Sequence, residues 1–593
     1  MKLSEWATSS AMARLILGLA QGFALHVTIR TLEQAPADDG VPYFLGLLLP
    51  IIAYLPMIAM LEIERLSARR LNAWLAVLAV LLVGLTLHDF WRRTGTDNAS
   101  YGFFDKTNTP SPILMITLVP MLFVANILFA AASQDKRRIA SYGRYFEVAW
   151  KQGLQLAFAA GFVAALWMVL WLGAALFGIL HLDFFRELIK KSWFYWPVSL
   201  MAVGAALHLT DVAPGIIAGI RRLALVLLSW LLPLITVIIL GFLGALTVTS
   251  LDLLWQTKRA AMLLLSAAGW LVILANCAYQ QGPPHDGHEG HIPAKPLAWA
   301  GVLVGPILLV LVALAGYAAY LRVAQYGWTA DRVLLAASIV VAGLYALGYS
   351  TSGWWNGQPR RRWEGTNVAV SFAILAILVA LMSPLADPAR IAVNSQLDRL
   401  EKSVVDAKTF DFNTLRFDSA RYGIEALQRI ADTGPEDLAK AAQESLASKN
   451  RYESRSKATA ITEAQVAANL VVAYPPNTAL PQGLAKPKLS HLPCFNYADK
   501  RCDVVILGKG PGGRTMAVVM DANGKLRGAT LVIEYNPGQW GVYGQYPRLC
   551  DSHYQALLRG EFSLLPPVLP DLNFGGRRYH LENQPAPTPA CPP

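Results

Sequence analysis

Long uncharged stretches alternate with short charged segments over the first 386 residues of the chain. A helix that crosses a bilayer needs about 20 mostly apolar residues, because lipid offers backbone N–H and C=O groups no partner. Eleven stretches contain no Asp, Glu, Lys or Arg, and they lie at 15–29, 40–61, 71–88, 107–134, 152–182, 192–210, 223–251, 260–285, 296–321, 333–359 and 365–386. This pattern predicts a mainly α-helical, polytopic transmembrane domain over residues 1–386, with about eleven spans.

The pattern of charge changes near residues 384–388. Residues 387–593 carry 45 charged side chains in 207 positions, whereas residues 1–386 carry only 46. A boundary at this point separates a membrane part from a part that is charged like a soluble protein.

Two kinds of element are predicted after this boundary. Helical periodicity over 412–430 and 435–448 predicts a helical connector over residues 387–470. Alternating apolar residues predict a small β-rich domain over residues 471–593. Its strands are expected at 503–507, 515–521, 529–535 and 539–543, with Asn523-Gly524 as a hairpin turn.

Composition agrees with a membrane protein. Charged residues make up 15% of the chain, against about 25% in soluble proteins, and hydrophobic residues make up 54%. The mean hydropathy is +0.38. Cytoplasmic loops of inner-membrane proteins carry an excess of Lys and Arg, which accounts for the net charge of +11. The predicted partner is therefore the lipid bilayer, and nucleic-acid binding is disfavoured.

The loop charges predict how the spans are oriented. With a cytoplasmic N-terminus, the inner segments hold sixteen basic residues and the outer loops hold eleven. An odd number of spans then places the C-terminal domain outside the cytoplasm. We therefore expect a multi-pass protein of the bacterial inner membrane, with its N-terminus in the cytoplasm and its C-terminal domain in the periplasm.

Four of the five cysteines lie in the C-terminal domain: Cys494, Cys502, Cys550 and Cys591. An even number of cysteines in a loop-rich region is typical of disulfides in an oxidising compartment. Three connectivities are open, of which we favour Cys494–Cys502 with Cys550–Cys591. Zinc is the alternative, but these cysteines contain no CxxC pair.

Several motifs in the chain resemble a known family. Residues 383–430 read SPLADPARIAVNSQLDRLEKSVVDAKTFDFNTLRFDSARYGIEALQRI, with GWTADRV at 327–333, LYALGY at 344–349 and ARLILGLAQGFAL at 13–25. Over residues 10–430 the chain resembles the bacterial membrane-protein family called domain of unknown function 4153. The resemblance implies a membrane architecture, and it brings no reaction, substrate or catalytic residue with it.

Polar residues inside the predicted spans are candidates for function, because they are costly in lipid. The candidates are Gln21, His26, His88, Asp89, Asn126, His208, Asp211, Asp252 and Asn276. Arg14 and Gln21 share one helix face. Gly18 and Gly22 lie on the same face, and such a small-xxx-small pair favours close helix packing. His208 and Asp211 are three residues apart, so the carboxylate can orient the imidazole for proton relay; a hydrated helix end is the alternative.

Prolines interrupt several of the predicted spans. They are Pro50, Pro56, Pro120 and Pro233. Each removes a backbone N–H, and broken helices near the middle of the membrane are where transporters bind their substrates. Proline is also common in membrane helices generally, and no internal repeat relates the two halves of this chain.

A loop between two predicted spans contains His285, His288 and His291. Three neutral imidazoles can bind zinc or nickel. Gly and Pro in the loop argue against a helix that would hold them in place, so a solvated loop is the alternative.

The start of the connector carries a dense polar motif, which comprises Asp387, Asn394, Gln396, Arg416, Asp418, Arg421 and Tyr422. Pro388 is expected to end the last span and to begin a new helix. Asp418 is expected to pair with Arg421 or Tyr422, but an exposed ion pair stabilises by only about 0.2–1 kcal/mol. We therefore expect the motif to contact exterior loops at residues 327–332; a solvated connector helix is the alternative.

Three functions fit these predictions. An envelope assembly, scaffolding or signalling protein presents its periplasmic domain to another envelope protein. A transporter or lipid-handling carrier uses the Pro-broken spans. A membrane-embedded enzyme needs acids, His or metal ligands at one depth, and the sequence shows no catalytic constellation and predicts no cofactor. We rank the three in this order, because the soluble domain carries no visible catalytic groups.

Overall fold

A computed structural model gives the fold of the chain. It describes residues 9–34, 40–94, 109–249, 257, 259–279, 294–351, 360–405, 410–448, 462–486, 492–495, 500–510, 513–522, 529–546, 551–564, 572–574 and 577–579. The chain divides into two compact units, Met1–Ala447 and Ser448–Pro593. Each unit has its own buried core.

The first unit begins with a bundle of helices. They are α1 (Ser9–Gln34), α2 (Gly40–Glu62), α3 (Ala68–Arg93), α4 (Pro112–Gln134), α5 (Tyr142–Ile179), α6 (Phe184–Lys190), α7 (Ser192–Val212), α8 (Pro214–Val248), α9 (Ala260–Ala278), α10 (Lys295–Tyr326), α11 (Ala330–Ser350) and α12 (Arg360–Leu381). Ten helices in the described part of the chain are long and apolar enough to cross a membrane, and α7 is not among these ten. The predicted class, a mainly helical protein with many spans, is confirmed.

Local sequence signals set where several helices begin. The hydroxyl of Ser111 accepts a hydrogen bond from the backbone N–H of Leu114, and Pro112 occupies the first helical position of α4. Both choices suit a helix start, where N–H groups lack helical partners. Ser141 caps α5 in the same way by accepting from the N–H of Arg144.

Glycines bring α1 and α7 into direct backbone contact. A Cβ at Gly18 would lie 2.4 Å from a carbonyl oxygen of α7, and one at Gly22 would lie 2.3 Å from Cα of Pro197. A Cβ at Gly204 would lie 2.6 Å from the carbonyl oxygen of Arg14. Positions 14, 18 and 22 thus meet 204, 200 and 197 in turn, so the two helices run antiparallel. The close packing predicted for Gly18 and Gly22 is confirmed.

A neighbouring helix compensates for the proline break in α2. Pro56 has no N–H, so the carbonyl of Ile52, four residues earlier, loses its helical partner. The Nε2 atom of Gln21 donates to the carbonyl oxygens of Ile52 (3.1 Å) and Ala53 (2.9 Å). This break is therefore filled by a packing contact between α1 and α2.

Within the described residues up to Ala447, the connector continues from the bundle as four helices: α13 (Pro388–Glu401), α14 (Phe412–Asp418), α15 (Ala420–Thr433) and α16 (Glu436–Ala447). The single helix predicted over 412–430 is wrong. The chain turns at Ala420, whose φ of 51° lies in the left-handed region. After this turn α15 packs closely on α14, because a Cβ at Gly423 would lie 1.9 Å from the carbonyl oxygen of Leu415.

The second unit is built on a five-stranded sheet in the order β1-β2-β3-β4-β5. The strands are β1 (Leu470–Tyr474), β2 (Cys502–Lys509), β3 (Thr515–Asp521), β4 (Ala529–Asn536) and β5 (Gln539–Tyr546). β1 and β2 are parallel, and the later pairs are antiparallel. Helices α17 (Glu463–Asn469) and α18 (Asp551–Arg559) and a hairpin of β6 (Leu572–Phe574) and β7 (Arg577–Tyr579) complete the unit. The four predicted strands are present, whereas β1 and α18 were not predicted.

The predicted disulfide between Cys494 and Cys502 is confirmed. It joins a short 3-10 helix to the start of β2, and both sulfurs lie in a core that includes Val466 and Trp540. Cys550, Cys591 and the Asn523-Gly524 turn lie outside the described residues.

Candidate functional site

A buried charged network lies where one end of α1 meets the ends of α2 and α7. Arg14 is fully buried. Its Nη2 atom donates to Oδ2 of Asp211 at 2.6 Å, and its Nε atom donates to the carbonyl oxygen of Met60 at 3.0 Å. Met60 lies in the last turn of α2, where carbonyl groups have no helical partner. Arg14 therefore ties the start of α1 to two other helices.

Asp211 is shared by three cations. Besides Arg14, its Oδ1 atom lies 3.3 Å from Nη2 of Arg65 and 3.4 Å from Nζ of Lys151. The Nε2 atom of Gln155 also donates to this oxygen at 2.9 Å. Charge-assisted hydrogen bonds of this kind are the strong ones in proteins. We call these five side chains the Arg14–Asp211 network.

Glu62, the last residue of α2, extends the network toward α3 and α4. Its side chain is fully buried. The Oε1 atom accepts from Nδ2 of Asn126 (2.8 Å) and Nε2 of Gln152 (2.5 Å), and it lies 4.0 Å from Nη1 of Arg65. The indole N–H of Trp74 donates to Oδ1 of Asn126 at 3.1 Å. Side chains from six helices, α1 to α5 and α7, thus meet at one end of the bundle.

A second polar cluster joins α5 to α9, α11 and α12. The hydroxyl of Tyr142 donates to Oδ1 of Asn276 at 2.8 Å, and the amides of Asn276 and Asn367 bond to each other and to Tyr349. The ring of Trp363 stacks on Tyr349 with centroids 4.4 Å apart. These groups satisfy one another, which is what buried polar groups require.

At the opposite end of α3, the connector is attached through Asp387. The Oδ1 atom of Asp387 accepts from the backbone N–H of Ala389 at 2.8 Å and so caps α13. Its Oδ2 atom lies 3.0 Å from Nε2 of His88 and 3.5 Å from Nη1 of Arg92. We call Asp387, His88 and Arg92 the Asp387 latch.

The latch holds Asp387 as a carboxylate. Burial by itself would raise the pKa of this carboxyl group. The hydrogen bond to His88, the charge of Arg92 and the N–H of Ala389 outweigh burial and hold the pKa of Asp387 below the ordinary Asp value.

Backbone carbonyls fix α13 to the chain between α10 and α11. The Nε2 atom of Gln396 donates to the carbonyl oxygens of Tyr326 (3.1 Å) and Trp328 (2.9 Å). Arg399 donates to two carbonyl oxygens in the last turn of α10, at 3.2 and 2.9 Å. Gly327, at φ 74°, leaves room for this approach, since a Cβ there would lie 2.7 Å from Cδ of Arg399.

The helix α15 contacts the end of α3 through an aromatic side chain. The guanidinium carbon of Arg421 lies 4.9 Å from the ring centroid of Trp91, and the ring of Tyr422 meets Trp91 edge-on at 5.4 Å. The Nε atom of Arg421 donates to Glu425 at 2.7 Å. The helical spacing expected between Asp418 and Arg421 does not exist, because α14 ends at Asp418 and α15 begins two residues later.

The remaining residues of the connector motif lie apart. Asn394 is exposed on α13. Arg416 is buried in α14, with its guanidinium carbon 5.5 Å from the ring centroid of Phe417. Neither Asn394 nor Arg416 belongs to the Asp387 latch.

The polar residues predicted within the spans do not gather at one place. Gln21 bonds to α2, His88 belongs to the latch, and Asp211 belongs to the network. The side chain of Asp211 is only 9% exposed and lies beside three cations. His208 is buried in α7, His26 is half-buried in α1, and Asp252 lies outside the described residues.

Six side chains of the Arg14–Asp211 network and its extension at Glu62 were not among the predicted site residues: Arg14, Glu62, Arg65, Lys151, Gln152 and Gln155. Two signals in the sequence could have found them. Arg14 shares a helix face with Gly18 and Gly22, and a cation on a packing face needs a buried partner. The glutamines escape a search for charged residues, although an amide is also costly to bury without a hydrogen-bond partner.

Among the described residues, no group of three or more His, Cys, Asp and Glu side chains is arranged to hold a metal ion. His285, His288 and His291 lie outside the described part of the chain.

The chain matches the family of the domain of unknown function DUF4153 over residues 32–426. No curated protein and no solved structure matches it.

Proposed function

Because this match covers more than half of its 593 residues, the chain belongs to the DUF4153 family, and from this premise we propose that it is a membrane anchor that presents its C-terminal domain to a partner protein of the bacterial cell envelope. The bundle holds the connector in a fixed position at the membrane surface. The second unit provides the surface that the partner binds.

The attachment of the connector to the bundle is the observation that supports this proposal most directly. Three sets of contacts attach the connector to the bundle: the Asp387 latch, the bonds from Gln396 and Arg399 to backbone carbonyls, and the packing of Arg421 on Trp91. A simple tether between a membrane domain and a soluble domain has no need of such contacts. An anchor that fixes the point from which the soluble domain extends does need them.

We further propose that α7 is an eleventh crossing of the membrane. Its 21 residues span about 31 Å, which matches a hydrocarbon core of about 30 Å. It runs antiparallel to α1, and its one buried acid, Asp211, is neutralised by Arg14 and Arg65. Eleven crossings place the N-terminus and the C-terminal domain on opposite sides of the membrane, in agreement with the loop charges. The N-terminus then lies in the cytoplasm and the C-terminal domain in the periplasm.

Reporter fusions test this orientation. A reporter that is active only in the periplasm is expected to be active when fused after Pro593. Activity there of a reporter that works only in the cytoplasm would refute both the orientation and the periplasmic partner.

Photo-crosslinking tests the partner itself. Tyr543 lies on β5 and is 57% exposed, so a photoreactive residue at this position can reach a bound protein. Irradiation of native membranes is expected to give a discrete product heavier than the 64.7 kDa chain. Trp270, which is exposed on the membrane-spanning α9, is the matched control and should give no such product. The absence of any product from Tyr543 at normal protein level contradicts the proposal.

A lipid-handling carrier is the second candidate, and the Arg14–Asp211 network favours it, because charges inside a membrane bundle commonly serve transport. The filled break at Pro56 speaks against a carrier that uses this proline. The measurement is the movement of a fluorescent phospholipid between leaflets of vesicles that contain the purified chain. A rate no higher than in protein-free vesicles excludes this candidate.

A further inference from the structure

We propose that the network end of the bundle binds a phosphate group, which either a phospholipid head group or a free phosphate ion can supply. This site lies at the other end of α3 from the Asp387 latch, so it is independent of the function proposed above.

The site is a cavity of about 200 Å³ beside the Arg14–Asp211 network. It is lined by Arg65, Gln134, Glu147, Val148, Lys151 and Gln152. These residues come from the turn after α2, the end of α4 and the first turns of α5. Three of them, Arg65, Lys151 and Gln134, are hydrogen-bond donors on different segments, so they can surround a ligand of several oxygens.

Donors exceed acceptors in this cavity. The Nη1 atom of Arg65 is buried and has no hydrogen-bond partner among the described residues; its nearest acid, Glu62, is 4.0 Å away. Lys151 is 40% exposed on its side chain and touches Asp211 only at 3.4 Å. A ligand that brings negatively charged oxygens supplies what these cations lack.

The one acid that lines the cavity is engaged, since Glu147 accepts a hydrogen bond from Arg144 at 2.7 Å. Glu62 does not line it; its Oε1 atom accepts from the amides of Asn126 and Gln152, and its Oε2 atom has no hydrogen-bond partner among the described residues. The charged groups of the lining are thus two cations, Arg65 and Lys151, and one acid already paired with Arg144, which favours an anion over a metal cation.

The surroundings of the cavity would concentrate phosphate at its mouth. Lys136, Arg137 and Arg138 are exposed in the turn between α4 and α5. On the first turns of α5, the rings of Tyr142, Phe146 and Trp150 follow one another with centroids 5.8 and 6.1 Å apart. Basic clusters attract anionic lipids, and aromatic residues settle at the level of the head groups.

Two measurements on the purified full-length chain separate the two sources of phosphate. In native mass spectrometry, the chain is offered phosphatidylglycerol and diacylglycerol, which share acyl chains but differ in the phosphoglycerol head group. In thermal unfolding, sodium phosphate is compared with sodium chloride at equal ionic strength. Preferential retention of phosphatidylglycerol indicates a lipid head group, and stabilisation by phosphate indicates the free ion. Neither effect in the wild-type chain overturns the proposal.

Lys151→Gln is the decisive variant. Removal of one charged donor is expected to weaken whichever effect is seen by about tenfold or more. Lys190→Gln on α6 makes the same change in net charge away from the cavity and should leave the effect unchanged. Equal retention by the two variants would mean adsorption by net charge alone and would overturn the site.

A variant at a more exposed position guards against misfolding. If Lys151→Gln is not monodisperse on size exclusion, Gln134→Leu replaces it, because Gln134 is exposed at the end of α4 and its loss removes a cavity donor without touching the Arg14–Asp211 network. Binding by Gln134→Leu at the wild-type level then overturns the proposal, and binding weakened by about threefold or more supports it.

Discussion

The two ends of α3 show buried charge used for two different purposes. At the network end, Asp211 has three cationic partners, and the side chains around it join membrane helices to one another. At the latch end, Asp387 has two basic partners on a single helix, and the neighbouring contacts of the connector end on backbone carbonyls.

This difference indicates what each end tolerates. If the fully buried Arg14 loses Asp211, it keeps only the longer contact, at 3.6 Å, with the partly exposed Glu64, so its charge is poorly compensated. The connector can lose Asp387 and still keep the bonds of Gln396 and Arg399. We therefore expect damage at the network end to be global and damage at the latch end to be local.

The largest effect is expected from Asp211→Ala. It removes the 2.6 Å partner of the buried Arg14 and leaves only the 3.6 Å contact with the partly exposed Glu64, and breaking a buried ion pair typically costs about 3–5 kcal/mol. The melting temperature in detergent and the monodisperse yield should both fall sharply. Asp183→Asn is the control, because Asp183 is 66% exposed on its side chain and changes there stay within about 0.5 kcal/mol. Equal melting of the two variants would show that the network does not hold the bundle together.

Gly22→Ala tests the packing that brings the network together. The new Cβ would lie 2.3 Å from the backbone of Pro197, so α1 and α7 must separate, at a cost of about 1–3 kcal/mol. Gly219→Ala on α8 has nothing within 4 Å of its Cβ and should not destabilise, since alanine is the better helix former. Thermal unfolding of both variants measures the difference. A stable Gly22→Ala protein would contradict the antiparallel contact.

Asp387→Asn is expected to act locally. Asparagine still caps a helix, but the charged contact with His88 and Arg92 is lost. This loss is expected to weaken the attachment of the connector by about 1–3 kcal/mol. Limited proteolysis should cleave residues 388–447 faster while the melting of the bundle stays unchanged. A shift in bundle melting as large as that of Asp211→Ala would remove the distinction between the two ends.

The lowered pKa of Asp387 predicts that the attachment of the connector depends on pH. The folded-state pKa of Asp387 is lowered, so the latch contributes fully above the ordinary Asp pKa of about 3.9 and weakens as the pH falls through the lower folded value. Proteolysis of the wild-type connector by an acid-active protease should therefore accelerate in this acid range. In Asp387→Asn this part of the acid dependence should disappear, and its persistence would place the sensitivity elsewhere.

The smallest effect is expected from Arg421→Ala. The cation–π contact with Trp91 is partly exposed and stabilises by about 0.5–1 kcal/mol. Hydrogen exchange in α15 should rise slightly, while Arg429→Ala, on an exposed face of the same helix, should leave it unchanged. An effect of Arg421→Ala as large as that of Asp387→Asn would mean that the aromatic contact, and not the latch, holds the connector.

The sequence predicts elements better than it predicts which elements meet. Uncharged runs locate the spans, and Gly18 with Gly22 marks the packing face of α1, because both signals are local. The partner of that face, α7, could not be read from the chain, since Arg14 and Asp211 are 197 residues apart. The polar density at the membrane exit predicted a contact with residues 327–332, and Gln396 makes it, whereas Asp387, Arg421 and Tyr422 contact α3 instead. The break at Ala420 depends on a backbone angle that no residue type there requires.

The separation between Arg14 and Asp211 also constrains how the chain enters the membrane during synthesis. Arg14 leaves the ribosome 197 residues before its acid does, and at about 5–20 residues per second this interval lasts about 10–40 seconds. Throughout that time the first helix carries a cation that lacks its 2.6 Å partner and has only the partly exposed Glu64, at 3.6 Å, as an acid. The contact of α1 with α7 forms only when the seventh helix arrives alongside it. The packing of the first helix is therefore completed late in assembly.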